Sequence, residues 1–122
     1  MKKRVLVIED EPVIAEMVNI ILQADGYKVI SLSEFVNFKT KLRASHADVV
    51  LLDINLAGFN GRAISEYIKS QSDLKHIPVI ILSASSHIQK ITEECGADDF
   101  IKKPFDLDYF INKVHTYTHT VV

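Results

Sequence analysis

Val49-Val50-Leu51-Leu52-Asp53 is a run of four apolar residues closed by a carboxylate. No polar residue interrupts it, so it does not alternate as a half-exposed strand would. It reads as a strand covered on both faces, the kind that belongs to a parallel sheet layered between helices. In such open sheets ligands bind beyond the carboxyl ends of the strands, near the point where strand order reverses, and Asp53 falls there. The plain alternative for a single strand-ending Asp is a loop cap. The neighbouring strands decide between the two.

Towards the N-terminus, Val5-Leu6-Val7-Ile8 is another buried run, closed by Glu9-Asp10-Glu11. Pro12 suits the first turn of a helix predicted to reach about Asp25, where Gly26 supplies the stop. Lys28 to Leu32 is a shorter, more polar strand, as expected at a sheet edge. Phe35, Phe38 and Leu42 fall at helical spacing and predict a second helix before the central strand. Beyond Asp53, Asn55 to Asn60 is a loop containing Gly58, and Gly61 opens a third helix with Ile64 and Ile68 on one side. Ser70 to His76 reads as a polar loop. Pro78-Val79-Ile80-Ile81-Leu82 is a fourth buried strand ending on Ser83. Ile88, Ile91 and Cys95 share one face of a helix that ends at Gly96-Ala97, and Asp99 to Lys102 is a short fifth strand. Leu107, Phe110, Ile111 and Val114 follow the i, i+3, i+4, i+7 rule of a closing helix. Tyr117 to Val122 reads as a fraying tail.

Strands and helices alternating five times, with short connections, predict one α/β domain over residues 1–122, a doubly wound parallel sheet. Right-handed crossovers leave few topologies, and the common five-stranded one is the flavodoxin-like order 2-1-3-4-5 with helices on both faces. The 122 residues suffice for one core without disulfides. A net charge of -2 argues against a nucleic-acid surface. A single cysteine, Cys95, cannot form an intramolecular disulfide and fits a reducing compartment. Met1-Lys2-Lys3-Arg4 is followed by too short an apolar run for a signal peptide, and no stretch is long enough to span a membrane. The expectation is a soluble, cytoplasmic protein.

In the 2-1-3-4-5 order, Glu9, Asp10, Asp53, Ser83 and Lys103 face one crevice. Three clustered carboxylates repel, and the remedies are a raised pKa or a bound cation. Oxygen ligands that leave room for water and phosphate suit Mg²⁺, with Mn²⁺ as the alternative. Lys103 can then pair with one oxygen of an arriving phosphoryl group and the Ser83 hydroxyl can donate to another. A carboxylate nucleophile, a metal and a lysine are the parts needed to form an aspartyl phosphate.

Over essentially its whole length the chain resembles the receiver domain of the two-component response regulators. Four segments carry the likeness: Val7-Ile8-Glu9-Asp10-Glu11-Pro12, Leu51-Leu52-Asp53-Ile54-Asn55-Leu56-Ala57-Gly58, Ile81-Leu82-Ser83-Ala84, and Gly96-Ala97-Asp98-Asp99-Phe100-Ile101-Lys102-Lys103-Pro104-Phe105. The resemblance implies that Asp53 is the phosphoacceptor and that Lys103, the lysine directly before proline, and Ser83 assist. It implies a metal held by Asp10, Asp53 and the Asn55 backbone carbonyl, with Glu9 reaching it through water. It further implies a switch made by Ser83 and Phe100 and a cis Lys103-Pro104 bond. Glu9 stands where Asp is commoner, Ala57 replaces a frequent proline, and Phe100 has no phenolic hydroxyl where Tyr is frequent.

The function so implied is a signalling switch of a two-component or phosphorelay system, not an enzyme acting on a separate substrate. It would catalyse its own phosphorylation and dephosphorylation and alter its helix 4, strand 5 and helix 5 surface. Its partners would be a histidine kinase or histidine phosphotransfer protein, a downstream protein, and a second copy of itself through that same surface. Neither nucleic acid nor membrane is expected as a partner. The first helix carries a second apolar stripe, Val13, Met17, Ile20 and Ala24, beside the core-facing Ile14, Val18, Ile21 and Leu22; Val13, Ile14, Met17 and Ile20 are the expected docking residues for the phosphodonor. The rivals are a degenerate receiver serving as a scaffold, an aspartyl-nucleophile hydrolase and a flavin carrier. The hydrolase would want Asp-x-Asp after the first strand, and the carrier a phosphate loop where this chain has acids that repel phosphate.

Overall fold

The computed structural model describes residues 2–33, 36–55 and 60–119. Among these, five parallel strands, β1 (Arg4–Ile8), β2 (Lys28–Leu32), β3 (Val49–Asp53), β4 (Val79–Ser83) and β5 (Asp99–Lys102), alternate with five helices. The helices are α1 (Pro12–Ala24), α2 (Phe38–Ser45), α3 (Gly61–Ser70), α4 (Ile88–Glu94) and α5 (Leu107–Thr118). The sheet order is β2-β1-β3-β4-β5, and β2 is an edge as its polarity predicts.

The unbroken apolar strands are explained by two cores. Successive strand residues point to opposite faces. Leu6, Ile8, Val50, Leu52, Val79 and Ile81 meet Leu42, Ile64, Ile68 and Ile88 of α2, α3 and α4 on one face. Val5, Val7, Val49, Leu51, Ile80 and Leu82 meet Val18 and Leu22 of α1 and Phe110 and Val114 of α5 on the other. Each fully buried Leu or Ile is worth roughly 2 kcal/mol of removed apolar surface, so a polar residue inside any of these strands would be costly.

The chain leaves β1 in one direction to form β2 and returns past it to form β3, so strand order reverses between β1 and β3. Ile8 is level with Leu52, which sets Glu9 beside Asp53. Asp53 pairs in register with Leu82, and Ser83 with Lys102. The row of strand ends therefore brings Glu9, Asp53, Ser83 and Lys103 to one rim.

Local signals place the helices. Pro12 opens α1, the Asn60 side chain accepts from the Arg62 and Ala63 amides at the start of α3, and Asp106 caps α5 by accepting from the Tyr109 amide. Gly26 (φ 92°) turns the chain out of α1 in the left-handed region that side chains disfavour.

Three details differ from the sequence reading. The expected tail is not a tail at its start, because α5 continues through Thr118, whose buried hydroxyl lies 2.9 Å from the Tyr27 phenol. Helical pattern ends at Val114, and this polar anchor lies beyond it. The polar loop after α3 contains Leu74, which is buried in the core. Finally α2 is described from Phe38 onward; Phe35, like Ala57 and Gly58, lies outside the described residues.

Candidate phosphoacceptor site

Asp53 sits at the end of the fully buried β3, 5% exposed. One carboxylate oxygen accepts from the Asn55 amide at 2.9 Å and the other from the Lys103 ammonium at 2.9 Å. Lys103 also lies 3.5 Å from Glu9, whose other oxygen accepts from the Glu11 amide at 3.1 Å. Glu9 is as buried as Asp53, at 2% exposure, while Asp10 is half-buried.

Two buried acids sharing one lysine cannot both ionise easily. Burial, followed by its hydrogen bond to Asp53, pushes the Glu9 carboxyl up to about 7. For Asp53 burial acts upward too, but hydrogen bonds from Glu9, Lys103 and the Asn55 amide outweigh it and hold the group below the usual range. The two shifts have opposite directions, so a proton taken up by the pair is favoured on Glu9 over Asp53.

β5 delivers Lys103. The Lys103 amide continues the ladder by donating to the Ser83 carbonyl at 2.8 Å, and the Lys103-Pro104 bond is cis, as expected. Ser83 is fully buried, its hydroxyl accepting from the Ser85 amide at 3.1 Å. Phe100, level with Ile81, is half-buried against the core face that holds Ile88 of α4.

The donor set fits a hard divalent cation. Two buried carboxyl groups, Glu9 and Asp53, meet on Lys103 beside a further acid at Asp10, and the raised Glu9 pKa marks how costly it is to ionise them together. Among the described residues no three histidine, cysteine or acidic side chains converge as a ready-made cage. Mg²⁺ does not require one, since it binds through one or two carboxylates and keeps several waters.

Two neighbours of the site were not legible as such. Gly61 is pressed against the end of β3: a Cβ there would stand 2.9 Å from the Asp53 carbonyl oxygen, so only glycine lets α3 begin this close. A glycine opening a helix is a signal for such an approach. Ser85 is the second, and a Ser-Ala-Ser-Ser string gives no sign of which hydroxyl or amide pairs with which.

Beside the site, α1 presents Val13 (74% exposed), Met17 (44%) and Ile20 (61%), while Ile14 is half-buried against the core. Ile14 and Met17 line a cleft of about 450 Å³ together with Ala84, Lys103, Pro104 and Phe105. The expected second stripe on α1 is thus exposed, and through Met17 it reaches the cleft that Lys103 lines.

The family model of the response regulator receiver domain matches residues 5–115. The chain is 33% identical over 107 residues to the DNA-binding response regulator MtrA of Mycolicibacterium smegmatis, covering 86% of this chain and 46% of that protein. It thus spans about half the length of the curated relatives it matches. A putative response regulator from Chloroflexus aurantiacus has the same fold, with a TM-score of 0.89 and 22% identity over 98% of this chain and all of the other. The response regulator TrrA of Thermotoga maritima, solved in complex with Mg²⁺ and BeF, superposes with a TM-score of 0.83 at 30% identity, covering 94% of this chain and 98% of that one. A phosphoacceptor-type rim on a 2-1-3-4-5 sheet and a family match across nearly the whole chain lead to one conclusion: this chain belongs to the receiver domain family of the two-component response regulators.

Proposed function

We propose that Asp53 accepts a phosphoryl group from a phosphohistidine of a histidine kinase or phosphotransfer protein. The observation that carries this reading is the buried Asp53 carboxyl at the end of β3, 2.9 Å from the Lys103 ammonium and beside the second buried acid, Glu9. An Asp53 oxygen attacks phosphorus, the P–N bond to the imidazole breaks, and the leaving nitrogen keeps the electron pair. Lys103 then exchanges its carboxylate partner for a phosphoryl oxygen. The Ser83 hydroxyl donates to a second oxygen.

Asp10, Asp53 and the Asn55 carbonyl would hold Mg²⁺ or Mn²⁺, with Glu9 reaching it through water; the Mg²⁺ complex of TrrA supports this. The ion supplies charge neutralisation of the transferring phosphoryl group. When Ser83 turns towards the phosphate, Phe100 moves into the vacated space and alters the face formed by α4, β5 and α5, which meets the downstream partner or a second copy. Phosphorylation supplies only a few kcal/mol of bias between two pre-existing states. The exposed α1 stripe receives the helical bundle of the phosphodonor. The same chemistry run with water as acceptor returns the domain to rest, so the catalysis is of its own phosphorylation and dephosphorylation.

The test is intact mass after incubation with a small phosphodonor and Mg²⁺. Wild type should gain one hydroxylamine-sensitive phosphate, and Asp53→Asn none while staying folded. Labelling that persists in the amide variant overturns the assignment.

A further inference from the structure

Ser85 uses three of its groups at once, and the three lead from the site to α4. Its amide donates to the Ser83 hydroxyl at 3.1 Å. Its own hydroxyl accepts from the His87 amide at 3.0 Å, and its carbonyl accepts from the Ile88 amide at 3.3 Å. His87, at the N-cap of α4, makes no side-chain cap hydrogen bond. The N-cap amide and one orphan donor of the first turn, those of His87 and Ile88, are therefore met by a residue outside the helix. The sequence Ser83-Ala84-Ser85-Ser86-His87 folds into two consecutive side-chain turns that share Ser85.

We infer that Ser85 is a positioning residue for phosphoryl transfer, orienting the Ser83 hydroxyl as a donor and tying that hydroxyl to the first turn of α4. This rests on the reading of Asp53 as phosphoacceptor. A hydroxyl that accepts from the Ser85 amide keeps its own proton free, so in the ligand-free state Ser85 holds Ser83 ready to donate until a phosphoryl oxygen draws the hydroxyl away. Ser83 is fully buried but Ser85 is half-buried, so an amide deprived of this acceptor turns to water or to another loop group. When Ser83 turns to a phosphate, the Ser85 amide loses its partner, the loop re-forms, and the two ties from Ser85 to His87 and Ile88 move with it. Ser83 thus reaches α4 through the backbone of Ser85 as well as through the packing of Phe100.

The experiment is amide hydrogen exchange on wild type, Ser83→Ala, Ser85→Ala and Ser85→Thr, first without ligand and then with beryllofluoride and Mg²⁺. Without ligand, Ser83→Ala should speed exchange at Ser85 and, through it, at His87 and Ile88, by roughly fivefold as for a lost cap, while β3 and α5 keep their protection. Ser85→Ala retains the amide but loses the His87 cap. It should slow labelling by a small phosphodonor several-fold, and α4 should no longer respond to beryllofluoride although the loop after Asp53 still does. Ser85→Thr, which restores the hydroxyl, should recover both. Unchanged His87 and Ile88 exchange in Ser83→Ala, or a wild-type α4 response in Ser85→Ala, overturns the inference. A wild type that neither takes phosphate nor binds beryllofluoride overturns the phosphoacceptor reading instead, and the ligand-free exchange still judges the coupling.

Discussion

The two ends of the sheet treat charge in opposite ways. At the amino end of the strands acids are matched by cations and amides. The Arg4 amide donates to Asp48, Lys69 pairs with Asp98 at 2.6 Å while Asp98 accepts from the Val79 amide, and Asp99 is held by Lys113 and the Tyr117 hydroxyl. These contacts tie α3 and α5 to the strand starts. At the carboxyl end Glu9 and Asp53 share Lys103, with Asp10 beside them, and burial pushes the Glu9 carboxyl up to about 7. Charge at the first end is spent on holding the fold. At the second it is left over, and that surplus is what a cation and a phosphoryl group can use.

Glu9→Gln should break the contrast most strongly. The folded Glu9 pKa, about 7, lies above its ordinary 4.5, so between those values the native state binds the proton that the unfolded chain has released. Stability therefore falls as pH rises through that window. The full shift corresponds to about 3 kcal/mol, an upper bound for a carboxyl coupled to Asp53. Asp53, held low, acts oppositely: its contribution is present above its unfolded pKa and is lost on acidification below it. In urea titrations of the metal-free protein the wild type should lose stability from pH 4.5 to 8, and the Gln variant should stay flat and exceed it at pH 8. Parallel pH slopes for the two proteins would show that the carboxyl end carries no surplus.

This imbalance was partly readable in the sequence, and the limits are physical. Unbroken apolar runs specify strands covered on both faces, and acids, serine and lysine at the ends of different runs can share a place only if the sheet brings those ends together. The order of the strands followed, while the cis bond at Lys103-Pro104 was implied by the resemblance to receiver domains. What period and composition cannot encode is which of two adjacent acids turns inward. Glu9, not Asp10, is the one buried beside Asp53 and Lys103: it directly follows Ile8, which is level with Leu52, the residue before Asp53. Nor can they show contacts that depend on close approach or on backbone amides, such as Gly61 against the Asp53 carbonyl, Ser85 on Ser83, or Thr118 on Tyr27.

The matched end should respond in the reverse sense. Asp99 is held below its ordinary pKa: burial acts upward, and the Phe100 amide, Tyr117 and Lys113 outweigh it. Asp99→Asn keeps the shape but leaves Lys113 without its acid, so about 1 kcal/mol should be lost at neutral pH, a half-exposed pair being worth no more. That loss should shrink as pH falls below the unfolded Asp pKa and vanish once pH has passed the lower folded value, where the wild-type carboxylate is protonated too. A thermal shift on Asp99→Asn equal at pH 3 and pH 7 would show that the amino end is not held by charge.

The smallest effect on the fold, and the most selective one on function, belongs to the surface that joins the two patterns, the exposed stripe of α1. Val13, Met17 and Ile20 lie on the helix flank away from the core residues Val18 and Leu22. Burying them adds nothing to the isolated domain, so Met17→Glu and Ile20→Lys should change stability by less than about 0.5 kcal/mol, as surface substitutions do. Their positions nevertheless matter to a protein donor. Met17 lines the cleft that ends at Lys103 and Pro104, so a helical bundle presenting a phosphohistidine to Asp53 would have to rest on this flank. A charge there must be desolvated when the donor docks, whereas a small phosphodonor reaches Asp53 without touching α1. Both variants should therefore lose roughly tenfold or more in phosphotransfer from a histidine phosphotransfer protein, as buried apolar anchors do. Labelling by the small donor should match wild type. Equal loss with both donors would place Met17 and Ile20 in the architecture of the site, and no loss with either would leave the stripe without a docking role.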